Sequence, residues 1–124
     1  MKLKNLVLSG CMIVSLMLTV ATLATEAEFN TEIDRLMTDS SNFGGCAARI
    51  TGSVAANGLA CSGPWISFSC TGDFNSKSDG TNKFAQAQLA WVTDKQVRVR
   101  LDDSKRHNGY CFARNIIVTN TTNP

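Results

Sequence analysis

Four cysteines, Cys46, Cys61, Cys70 and Cys111, constrain this chain more than any other feature of its sequence. A fifth, Cys11, lies inside an apolar run from Leu6 to Leu23. If that run is a removable leader, an odd set of cysteines becomes an even one. An even set in a small exported chain reads as a disulfide framework. A zinc site is the competing use of cysteine. The spacings contain no Cys-x-x-Cys, and His107 is the one histidine of the chain, so no common zinc pattern is present.

The leader has the parts of a secretory signal. It opens Met1-Lys2-Leu3-Lys4, continues through the apolar run, and closes on small residues at Ala21, Ala24 and Ala27. We expect a signal peptide over residues 1–24, cut after Ala24, with Ala21 and Ala27 as close rivals. Two alternatives compete. A retained anchor needs about 20 apolar residues, and the run is long enough. Leu8-Ser9-Gly10-Cys11 spells a bacterial lipobox, which would lipidate Cys11. Against both, acids begin at once with Glu26 and Glu28, and the lipobox stands near the start of the run instead of its end.

Removing the leader changes the charge. The 124-residue chain carries 12 Lys and Arg against 10 Asp and Glu, and two of the bases, Lys2 and Lys4, lie in the leader. A balanced mature chain does not read as a nucleic-acid binder. The balance is uneven along the chain: residues 25–39 are acidic and residues 40–124 basic.

Downstream of the leader, "EAEFNTEIDRLMT" places Phe29, Ile33, Leu36 and Met37 at helical spacing, and predicts an N-terminal helix over residues 26–38 within a helix-and-linker segment, 25–45. One α+β domain follows over 46–119, with a frayed tail over 120–124. Residues 46–56 alternate as a strand, and Asn57-Gly58 marks a turn. "WISFSC", Trp65 to Cys70, is the strongest strand. Residues 71–82 form a polar loop, and Ser78, Asp79 or Thr81 caps a helix over about 81–93. "QVRVRLDD" is a period-two strand with Val97, Val99 and Leu101 inward and Arg98 and Arg100 outward. A charged turn ending in Asn108-Gly109 leads to the last strand, "YCFARNIIVT". The expected fold is a small curled antiparallel sheet around the second helix, burying Ile66, Phe68, Trp91, Val97, Val99, Ile116 and Val118.

This layout suggests the disulfides. A hairpin of residues 46–56 with 64–70 brings Cys46 opposite Cys70, close enough to bridge. Cys61 then remains for Cys111. Cys61–Cys70 with Cys46–Cys111 is the alternative.

Cys61 before Trp65-Ile66-Ser67-Phe68, the alanine-rich helix ending at Thr93-Asp94-Lys95, Val97-Arg98-Val99-Arg100, and Cys111 before Ile116-Ile117-Val118 resemble one group. It comprises small exported proteins of Gram-negative bacteria that share a domain of unknown function. The resemblance covers about residues 46–118, and it implies a Cys61–Cys111 bridge. More remotely, the element order resembles the OB-like B subunits of pentameric AB toxins of the subtilase-cytotoxin and pertussis kind. That likeness implies an OB-like barrel, glycan recognition and a homopentamer. Four strands are read here where an OB barrel needs five, unless residues 46–56 bend into two. No sugar-contacting residue of those subunits has a matching motif in this chain.

Candidate chemistry is sparse. His107, in "SKRHNGY", is an acid–base candidate or an exposed turn residue. Arg98, Arg100 and Arg114 read as an anion patch or as a solvated face neutralised by nearby acids. Trp65 is a candidate for stacking a sugar, and Trp91 reads as core. No metal or cofactor is implied. The expectation is therefore an exported, periplasmic or secreted, non-enzymatic recognition domain. It would bind a glycan or a protein partner, with Trp65, Arg98, Arg100 and Arg114 as ligand-binding candidates, no nucleic acid, and no membrane contact after cleavage. The rivals are a small hydrolase or nuclease using His107, and a periplasmic structural protein with no ligand.

Overall fold

The computed structural model describes Leu18, residues 25–39 and residues 41–122. The expected signal peptide, residues 1–24 apart from Leu18 and with Cys11 included, lies outside the described residues, as do Ser40 and residues 123–124. Six strands and one helix follow in the order β1 (Glu26–Thr31), β2 (Ile33–Thr38), β3 (Cys46–Ile50), β4 (Ser62–Ser67), α1 (Lys77–Val92), β5 (Lys95–His107) and β6 (Tyr110–Thr122). A 3₁₀ turn at Ala55–Asn57 links β3 to β4. The strands make one sheet in the order β1-β5-β6-β4-β3-β2.

The architecture is α+β, as the sequence implies, but three features correct the expectation. First, residues 26–38 form two strands instead of a helix. Burial in β1 alternates residue by residue, with Ala27, Phe29 and Thr31 turned inward. In β2 the register with β3 shifts between Ile33 and Arg35. That bulge puts the next inward residue, Leu36, three positions after Ile33, which mimics a helical period. Second, the sheet is mixed. β4 and β6 run parallel, because the chain leaves β4, crosses through α1, and returns as the β5–β6 hairpin with β6 beside β4. Parallel neighbours need a crossover of this kind. Third, β6 extends into the expected tail as far as Thr122, which pairs with Lys95.

Asn108 and Gly109 take positive φ values of 51° and 84° and close β5 onto β6, the conformation that a two-residue Asn-Gly hairpin needs. The helix starts four residues earlier than expected. Ser76 is its N-cap, with the hydroxyl accepting from the Asp79 amide at 3.0 Å. Gly80, expected in the polar loop, therefore lies within α1. A Cβ there would stand 2.7 Å from the Ser69 carbonyl oxygen and 2.8 Å from that of Phe68, so glycine permits the helix to lie against backbone.

One core gathers Ile33, Ile66, Phe68, Val97, Val99 and Leu101 with Ile116 and the small residues of α1. The inward and outward residues of β5 alternate as read from its sequence. Trp91 does not join this core and is 52 % exposed. Gly80, Ala87 and Ala90 are the buried residues of α1, a narrow stripe of small side chains with no room for an indole.

Disulfides join Cys46 to Cys70 and Cys61 to Cys111, the first of the two pairings considered. Such bonds belong to chains that fold under oxidising conditions. Among the described residues no helix is long and apolar enough to cross a membrane. Near the start of β1, the Thr25 amide donates to Oδ1 of Asp103 at 2.9 Å, and the Asp103 amide donates to the Thr25 carbonyl at 3.0 Å.

Candidate functional site

The loop between β4 and α1, residues 68–76, carries the side chains that matter most. Cys70 ties it to the start of β3. Inside the loop, the Phe74 amide donates to Oγ of Ser69 at 3.0 Å, and Nδ2 of Asn75 donates to the Phe68 carbonyl at 3.1 Å. These bonds fix Asp73, Phe74 and Asn75 against the end of the β5–β6 hairpin.

His107 closes β5 there, 9 % exposed. Its Nδ1 is 2.8 Å from Oγ of Ser67, and its Nε2 is 2.8 Å from Oδ2 of Asp73. The Ser67 hydroxyl donates to the Phe43 carbonyl at 2.9 Å. Its one proton is thereby spent, so towards Nδ1 the oxygen can only accept. An ionised carboxylate also only accepts. The bond from His107, with a second from Thr71, holds the Asp73 carboxyl below its ordinary value of 3.8.

This is not the arrangement of a serine hydrolase. There the serine gives its proton to the histidine; here it gives it to a carbonyl, and Ser67 is 1 % exposed. The three side chains act as a clasp between β4, the 68–76 loop and β5. Gly44 completes it: with φ +74°, a Cβ at this residue would fall 2.6 Å from both Nδ1 of His107 and Oγ of Ser67.

Beyond the clasp lies an open cleft of about 450 Å³ between the first turns of α1 and β6. Phe74, Asn75, Asp79, Asn82, Lys83 and Phe112 line it, together with Arg114. Phe74 packs on the His107 ring at 4.5 Å and edge-on to Phe112 at 5.4 Å. Nζ of Lys83 donates to the Ala113 carbonyl at 3.0 Å and lies 4.6 Å from the Phe112 ring centre. Burial lowers the Lys83 ammonium from its ordinary value, and Asp79 opposes that shift. Oδ1 of Asn75 is buried without a partner. An unsatisfied buried acceptor costs about 1–3 kcal/mol, so a donor arriving there is stabilised.

The arginines predicted from sequence come together, but in ion pairs. Arg98 meets Glu28 at 2.7 Å, Arg100 meets Glu26 at 2.6 Å, and Arg114 bridges Glu26 at 2.5 Å and the buried Asp102 at 2.7 Å. β1 supplies the glutamates, so the acidic segment neutralises the basic strands as a neighbouring strand. Only Arg114 of the three reaches the cleft. Trp65 is half-buried on β4, with Arg49 as its register partner, and is not among the lining residues.

The sequence reading did not single out Phe74, Asn75, Asn82, Lys83 or Phe112. One signal could have found the first: an aromatic stranded in a polar loop has to pack on something. Among the described residues no cluster of His, Cys, Asp and Glu could hold a metal ion. Comparison with protein-family models, curated proteins and solved structures finds no match for this chain.

Proposed function

We propose that this chain is an exported, non-enzymatic recognition domain of OB-like design that binds a saccharide in the α1–β6 cleft. Its topology supports the barrel reading. Only Glu32 separates β1 from β2, yet these strands lie at opposite ends of the sheet order. Counted as one bent strand, they leave five strands, with a helix between the third and fourth and a parallel pairing of the third with the fifth. A count of five strands supports the OB-like reading.

The observation that carries the binding reading is the cleft itself. It falls within the ordinary range for small-molecule sites of about 300–1,000 Å³ and combines a half-buried aromatic with amide and charged groups. The spent proton of Ser67 weighs against hydrolysis through His107. The two disulfides and the leader support export to the periplasm or beyond.

A glycan array probed with the oxidised mature chain tests this reading. Binding that falls on Asn82→Ala and Lys83→Ala supports it. Binding unaffected by both substitutions, or no binding at all, rejects the cleft as the site. Light scattering decides the toxin-B-like form of the proposal: a pentamer strengthens it and a monomer removes it.

A further inference from the structure

We infer that the cleft takes a neutral, hydroxyl-rich sugar in preference to an acidic one; this rests on the saccharide reading above. The cations that line the cleft, Arg114 and Lys83, are already engaged, and Lys105 stands farther off, its Nζ 5.9 Å from the Phe112 ring centre. Arg114 is held by Glu26 and Asp102. Lys83 gives one proton to the Ala113 carbonyl, lies against Phe112, and feels the Asp79 carboxylate.

What remains without partners is mostly oxygen. The Asn75 amide nitrogen is committed to the Phe68 carbonyl, which fixes Oδ1 as the free acceptor. Among the described residues, the Asp79 carboxylate accepts no hydrogen bond and the Asn82 carboxamide makes none. A carboxylate entering here would face Asp79 and find a cation whose charge is already shared. A sugar hydroxyl both donates and accepts. It can give a proton to Asp79 or Asn75 and take one from Asn82 or Lys83, while an apolar ring face covers Phe74.

The test is an NMR titration of the ¹⁵N-labelled, oxidised mature chain. The probes are the methyl glycosides of galactose, glucose and mannose, set against those of glucuronic acid and N-acetylneuraminic acid at equal ionic strength. The side-chain amides of Asn75 and Asn82 report the site. At least one neutral glycoside is expected to shift them to saturation, with the acidic probes about tenfold weaker or more. Asp79→Asn should narrow that preference while leaving the spectrum folded. Tighter binding of an acidic probe at the same resonances overturns the inference and leaves the saccharide reading standing. If no probe moves these resonances, both fall.

Discussion

Nδ1 of His107 lies 2.8 Å from Oγ of Ser67, whose own proton is committed to the Phe43 carbonyl. The pair joins β4 to the end of β5, and Asp73 extends it to the loop that walls the cleft. Replacing His107 with Ala removes one partner of the buried Ser67 oxygen, which keeps the Ser69 amide, and removes the support of Phe74. A loss of about 1–3 kcal/mol is expected in urea unfolding. Loss of a hydrolytic activity without loss of stability would contradict the clasp.

Acid should weaken the fold. Burial pushes the Asp102 carboxyl up, but bonds from Ser104 and Arg114 outweigh it and leave it below 3.8. Asp73 is lowered by His107 and Thr71. A depressed folded-state value stabilises above the unfolded one and is lost as pH falls through the folded value. Stability should therefore hold at neutral pH and decline below about pH 4. Asp73→Asn should make that decline shallower in urea melts taken from pH 7 to pH 3; an unchanged decline would remove Asp73 from the account.

Arg114 and Arg98 look alike in sequence and should behave differently. Arg98→Ala breaks an exposed pair with Glu28 and should cost less than about 1 kcal/mol. Arg114→Ala strips the partner from Asp102, which is 0 % exposed, and should cost about 2 kcal/mol or more. Equal effects in chemical denaturation would mean that Asp102 finds other compensation.

The bridges close loops of different length, with sequence separations of 50 for Cys61–Cys111 and 24 for Cys46–Cys70. Chain entropy assigns them about 4 and about 3.5 kcal/mol. Paired alanine replacements should follow that order in thermal melts. Intact mass should register the loss of both bridges on reduction of the wild type.

Gly80→Ala is expected to destabilise although it lies in a helix. Alanine gains about 1 kcal/mol of propensity. Its methyl group would meet the Ser69 and Phe68 carbonyl oxygens inside normal contact, and overpacking of that kind costs about 1–3 kcal/mol. A rise in melting temperature would show that α1 can move off the loop.

Legibility in the sequence followed the range of each signal. The β5 alternation, the Asn108-Gly109 hairpin and both disulfides rest on neighbouring residues or on one strand pairing, and these were readable. The first strands were not, because a bulge between Ile33 and Arg35 disguises period two as a helix. The cleft was hidden for a different cause. Its lining comes from a loop, a helix and a distant strand, and no local pattern records that Asn75 and Phe112 meet. The start of α1 was hidden because residues 77–80 are polar or glycine, and nothing local records that Gly80 lies against the Ser69 and Phe68 carbonyls.

The pairing of Thr25 with Asp103 would bear on maturation if the expected leader is removed. Asp103 is largely enclosed, with Oδ1 on the Thr25 amide and Oδ2 on the Ala60 amide. A peptidase that cuts after Ala24 turns that Thr25 nitrogen into a cationic terminus facing an anion. One that cuts after Ala27 discards Glu26 as well, and with it the shared partner of Arg100 and Arg114. Cuts at the three candidate bonds would thus leave the folded chain with unequal sets of contacts at its start.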